Sequence, residues 1–211
     1  MKSSGRIAVA VAVFLLVSST ARAAGVDFKD PRRALGREDD IRVDAQMLQE
    51  TLTPGSPISV TYQVENLTAS PIAIADKIAD ATFDADSQTI TVSIGAEIPA
   101  GTTMPHLVTI AAGQKRAFRI GASAQVLIPN ARSPLARVPR FVQINVNVLR
   151  DLKPFAKLIA QQTESAAAPP LPNELFDSWV ASVSSVELNV LPIRWSNEQH
   201  GPTAEMARSG L

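Results

Sequence analysis

The sequence predicts a mainly β fold: two packed antiparallel sheets with a short helical insertion before the last strand. Three observations carry this expectation. Residues 57–66, PISVTYQVEN, place Ile58, Val60, Tyr62 and Val64 on one side of an extended chain and Ser59, Thr61, Gln63 and Glu65 on the other. That period of two marks a strand with one dry and one wet face, and its β-branched and aromatic residues suit a pleated, half-buried surface. The second observation is a repeat of the pattern at 141–149, where Val142, Ile144, Val146 and Val148 alternate with Gln143, Asn145 and Asn147. Third, 15 Pro and 10 Gly divide the 211-residue chain into turn-separated segments. About eight short strands at such intervals are the signature of a sandwich.

Hydrophobic residues make up 45% of the chain and charged residues 19%, enough apolar surface for a core. The length fits one domain with extensions, here the sandwich at 41–195 with its insertion at 151–180. The first 23 residues have the features of a secretory leader. Lys2 and Arg6 precede an apolar run at 7–17, and Ala21-Arg22-Ala23 supplies a small-x-small cleavage pattern. An apolar run of about ten residues is too short to span a bilayer, which argues against an uncleaved anchor. The expected location is therefore secreted or periplasmic, with no stable membrane span after cleavage. Of the 20 basic residues, Lys2, Arg6 and Arg22 leave with the leader, so 17 basic face 20 acidic residues and the net charge becomes −3. Such a balance gives no electrostatic footprint for nucleic acid.

Residues 24–40 mix charges without an apolar period and read as a flexible lead-in. Alternation begins at Ile41, Val43, Ala45 and Met47, and the cluster at 53–56, TPGS, marks a turn. Asn66-Leu67-Thr68 matches a glycosylation acceptor but reads mainly as a strand-end turn. A short strand through Ile72 and Ile74 precedes Asp76, Asp80, Asp84 and Asp86, and Phe83 and the run at 89–94 suggest a hairpin with its tip at 84–87. Aspartates at this density could hold calcium, but the EF-hand glycine and closing glutamate are missing, and Asx residues are ordinary turn formers. Further on, 99–105 is turn-rich, and strands follow at 107–110 and 115–126 around the turn at 111–114. Lys115, Arg116, Arg119, Arg132, Arg137 and Arg140 place six basic residues within this part of the chain. They are candidates for a partner-binding patch, with a solvated strand face and loop as the plainer reading.

After 149 the period changes. Asp151 can cap a helix of about three turns through Leu152, Phe155, Leu158 and Ile159. Residues 166–172, AAAPPLP, then form a stiff link, and a second helical signal carries Leu175, Phe176 and Trp179. A final strand at 183–193 is expected to put Val186, Leu188 and Val190 on one face, and 196–211 reads as a disordered tail. Trp179 and Trp195, with Phe176, are candidate stacking residues for a sugar, with packing at the end of a core as the plainer reading.

Catalytic and cofactor chemistry find little support. The chain has no Cys, which removes thiol nucleophiles, Cys-ligated zinc and iron–sulfur clusters. It has two His, His106 and His200, from distant segments, and no G-x-S-x-G elbow. No catalytic residue, metal ligand or cofactor is assigned, and His106 is expected to be dispensable for function.

The succession of strands, the second of them ending in Asn66, with Ala112-Gly113-Gln114 turning into a basic strand, resembles the bacterial immunoglobulin-like and fibronectin-like superfamily. The likeness covers roughly residues 41–149 and the last strand, without the Cys and core-Trp marks of antibody domains. It implies a binding or scaffolding role. The alternating strands are also similar to those of pilus-assembly chaperones, but that family uses two sandwiches and the strands here suffice for one. The expected function is an exported, non-enzymatic module that binds another protein through a sheet edge or its loops. One alternative is a carbohydrate-binding or cell-surface-binding domain using Trp179 or Trp195; another is an enzyme of unrecognised type.

Overall fold

The structure, a computed structural model, describes residues 29–52, 56–95, 105–122, 138–162 and 171–194. The leader at 1–23, the turn at 53–55, Arg132, Arg137, Trp195, His200 and the tail at 196–211 lie outside them.

The first sheet has the order β1 (Arg33–Glu38), β2 (Ile41–Met47), β3 (Ile58–Asn66), β8 (Lys115–Ala122), every pair antiparallel. The second is built around β9 (Phe141–Leu149). On one edge of β9 lie β6 (Thr89–Ile94), paired in parallel, and at its end β4 (Ile72–Ala75). Its other edge takes β10 (Val183–Glu187) and β11 (Leu191–Pro192). β5 (Ala79–Asp84) pairs with β6, and β7 (Leu107–Ile110) with β4. The fold is therefore mainly β with two sheets, as the alternation predicted. The inward rows of β3 and β9 are buried at every expected position.

Two helices make a third layer. β4, IAIA, is buried along its whole length because both its faces are covered. Ile72 and Ile74 enter the main core, while Ala73 and Ala75 lie in a second cluster with Leu107, Leu149, Phe155, Leu171 and Trp179. α1 (Ala156–Gln161) and α2 (Asn173–Ser182) supply this layer. α1 is shorter than the three turns expected. The Asp151 carboxylate accepts the Lys153 N–H at 3.0 Å and so shapes a turn rather than a helix cap.

Two expectations change. Part of the expected flexible segment, Arg33–Glu38, is a strand paired along its length with β2. Its inward positions are Ala34 and Gly36, and its large apolar residue, Leu35, faces outward at 45% exposure, so no apolar period signals it. Arg33 and Arg42 flank the buried Asp44 carboxylate and tie β1 down. The last strand, in turn, is not continuous. Glu187 pairs with Asn145 and Leu191 with Val142, a register advance of one residue that marks a bulge at 188–190. One extra residue inverts the facing, so Leu191 turns inward and Val190 is exposed. Trp179 is 1% exposed, edge-on to Phe155 with ring centroids 5.8 Å apart, and packs the helical layer, in line with the plainer of its two readings; it presents no stacking face to a ligand.

The turns behave as read. In the hairpin between β5 and β6, Asp84 accepts from the Asp86 and Ser87 N–H groups and the Ser87 hydroxyl. Asn66 is fully buried, donating to the Ser70 and Ile110 carbonyls and accepting from the Thr68 N–H and hydroxyl. Its amide is consumed in this strand-end turn.

Candidate functional site

The sandwich has two long seams where the edges of one sheet meet those of the other. At the first, β1 faces β10 and β11. The Leu35 N–H donates to Asn189 Oδ1 at 2.6 Å, and the Asn189 N–H donates to the Leu35 carbonyl at 3.0 Å. Gly36 packs against the Glu187 carbonyl so closely that a Cβ there would stand 2.4 Å from its oxygen. At the second seam, β8 approaches β5 without pairing with it.

An unpaired strand edge offers a row of N–H and C=O groups to any other chain, and proteins commonly blunt it. β7 is blunted by Gln162, which accepts from the Leu107 N–H and donates to the Pro105 carbonyl, both at 3.0 Å. On β5, the Ala81 N–H is taken by Asp80 Oδ1 at 2.8 Å. β8 differs. The Asn66 N–H donates to the Gln114 carbonyl, which fixes the phase of the β3–β8 ladder. Arg116, Phe118, Ile120 and Ala122 turn their backbone groups toward β3, and Lys115, Ala117, Arg119 and Gly121 turn theirs away. Among the described residues no hydrogen bond reaches these outward groups.

Beside this edge opens a cleft of about 570 Å³. Arg116, Ala117, Phe118 and Arg119 form one wall. The opposite wall is made by Asp76 and Lys77, in the turn after β4, with His106 and Val108 at β7. The volume lies within the range of pockets that accommodate small ligands or side chains. Phe118 stacks on Tyr62 at 5.1 Å, giving the cleft an aromatic wall rooted in the core. The Tyr62 hydroxyl is buried without a partner among the described residues. Burial, and secondarily the Asp76 carboxylate, push its phenol well above the ordinary range.

His106 Nδ1 donates to Asp76 Oδ1 at 3.1 Å, so this histidine belongs to the cleft. A histidine–carboxylate pair can activate a hydroxyl or thiol. The lining residues, however, include no Ser, Thr or Cys. What the cleft concentrates is charge: Lys77, Arg116 and Arg119 against one carboxylate already engaged by His106.

Of the six basic residues that are candidates for a partner-binding patch, Arg132 and Arg137 lie outside the described residues, and the four described ones are not all gathered in one place. Lys115 and Arg116 stand together at the start of β8. Arg140 lies at the opposite end of the sandwich, where its N–H donates to the Gln88 carbonyl at the hairpin tip. The six residues of β5 separate that tip from Lys77, about 20 Å at the rise of a strand. Sequence reasoning missed Lys77, His106 and Val108 as site residues. They meet β8 only through sheet stacking, which no local spacing records.

Among the described residues no group of three or more His, Asp or Glu side chains is placed to hold a metal ion, and no helix is long and apolar enough to cross a membrane. No family model, curated protein or solved structure matches the chain, so the site's own geometry carries the functional argument.

Proposed function

We propose that the chain is an exported β-sandwich module that binds another protein by accepting an extended segment of it along β8. One observation carries this reading. Of the sheet edges described, β1, β5 and β7 have outward groups engaged by the chain's own side chains, and β8 does not. Strand addition draws its affinity from main-chain hydrogen bonds and its specificity from pockets for alternate side chains, and here the cleft runs along the open edge. Gly121 supports the same reading, since a glycine in a strand suits close approach by a second backbone, and the space around its missing Cβ is open to 3.8 Å. The apolar run at 7–17 and the cleavage pattern at 21–23 support export. The carbohydrate reading loses its first aromatic, because Trp179 is interior.

A displayed library of ten-residue peptides, selected on the protein lacking residues 1–23, tests the proposal. Ala117→Pro deletes one outward N–H and leaves the pairing with β3 intact, because proline is tolerated where an edge strand's N–H faces solvent. Peptides enriched on the wild type should lose binding to this variant. Equal enrichment on both would show that the edge is not the binding surface.

A further inference from the structure

We infer that the cleft selects an acidic segment, one whose carboxylates alternate with apolar residues in a fixed register. This rests on the strand-addition reading and specifies its partner. A segment paired with β8 lies in the cleft, and its side chains must alternate between the two faces of the sheet. On the outward face its neighbours are Lys115, Ala117 and Arg119. On the inward face they are Phe118, half-buried and stacked on Tyr62, with Val108 across the cleft. The outward row therefore calls for carboxylates and the inward row for an apolar residue against Phe118.

The far wall adds to the same sign. Lys77 stands opposite β8, and Arg116 holds the mouth of the cleft beside the Thr109 carbonyl. Lys115 is matched across the ladder by Glu65, so Arg119 is the stronger attractant for the outward row, while Arg116, on the same face as Phe118, and Lys77 add to the positive charge of the cleft as a whole. The Asp76 carboxylate, bonded to His106, offsets one of these charges and leaves the cleft with a positive balance. Basic side chains on an edge can also serve only to keep other strands away. That alternative predicts that no strand binds, acidic or otherwise, so the two readings part experimentally.

Fluorescence anisotropy with labelled ten-residue peptides decides between them. Four peptides are needed: Glu alternating with Val, Gln with Val, Lys with Val, and a scramble of the Glu peptide that breaks the alternation. The alternating Glu peptide should bind, more weakly as salt rises. The Gln peptide should bind about three- to tenfold more weakly, the size expected for one or two partly exposed ion pairs, and the scramble more weakly still. In the variant Arg116→Glu with Arg119→Glu, checked for an unchanged melting curve, preference should pass from the Glu to the Lys peptide. Equal binding of the Glu and Gln peptides, both lost in Ala117→Pro, would overturn the acidic specificity while leaving strand addition standing. Absence of binding by any peptide would overturn both. A charge-reversed variant that still prefers the Glu peptide would also refute the inference.

Discussion

The two seams of the sandwich solve one problem in opposite ways. Each brings an edge of the first sheet to an edge of the second. At the β1 seam the edges are laced together, with Asn189 bonded in both directions to Leu35 and Gly36 set against the Glu187 carbonyl. At the β8 seam the edges stay unpaired around a cleft with three cations. A closed seam contributes to stability, whereas an open one leaves its outward backbone groups without partners among the described residues. If that division is correct, substitutions at the first seam act on folding and substitutions at the second act on binding.

A large effect is expected from a matched pair of glycines. Gly36→Ala puts a Cβ 2.4 Å from a backbone oxygen, so β1 and β10 must part. Overpacking of this kind costs about 1–3 kcal/mol. Gly121→Ala on β8 meets nothing nearer than 3.8 Å and should change stability by less than about 0.5 kcal/mol. Urea midpoints of the two variants measure the contrast, and equal shifts would erase it.

Next in size is Asn189→Ala. It removes the acceptor of the Leu35 N–H and should cost about 1 kcal/mol, the usual net worth of one hydrogen bond. Hydrogen exchange at the Leu35 amide should accelerate. Unchanged protection would mean that Asn189 does not latch the seam.

A smaller effect concerns acid. Asp30, just before β1, accepts from the side chain and backbone N–H of Arg32 and from the Gln46 amide. The side-chain bond to Arg32, above all, holds its carboxyl well below the usual carboxylate range. A carboxylate with a folded-state pKa below its unfolded value stabilises the protein above the unfolded pKa. That contribution is lost as pH falls below about 4, where the unfolded chain takes up the proton first. Asp30→Asn should therefore narrow the stability difference between pH 6 and pH 3. A variant with the same acid profile as the wild type would show that the contact is not coupled to folding.

The strands with large alternating residues were legible because burial imposes a period of two on the residues that fill a core, as in β3, β6 and β9. β1 was hidden by its own packing. Its inward side must be small where β10 crosses it, so Ala34 and Gly36 leave no hydrophobic signal. The bulge at 188–190 was hidden because Val186, Leu188 and Val190 keep the right spacing for one face. The pairing with β9, in which Glu187 meets Asn145 and Leu191 meets Val142, reveals the extra residue. The cleft was half legible. Lys115 and Arg116 could be named from a basic run, but Lys77 and His106 reach β8 through the stacking of sheets. Arg140, which shares that run, lies about 20 Å away along the strand axis.

The smallest expected effect on stability is the most telling about the open edge. Ala117→Pro and Phe118→Pro alter adjacent residues of one strand. The Phe118 N–H points toward β3, opposite Tyr62 in the register. Its loss should leave an interior carbonyl unpaired and cost about 1–3 kcal/mol, with further loss where Phe118 stacks on Tyr62. The Ala117 N–H points away from the sheet, and proline at such a position removes nothing the fold uses. It also restricts the unfolded chain, a small effect in the stabilising direction where the backbone angle suits it. Ala117→Pro should therefore melt close to the wild type while Phe118→Pro melts well below it. Similar losses in both would mean that the outward donor is already engaged within the chain, and the division between a closed and an open seam would fall with it.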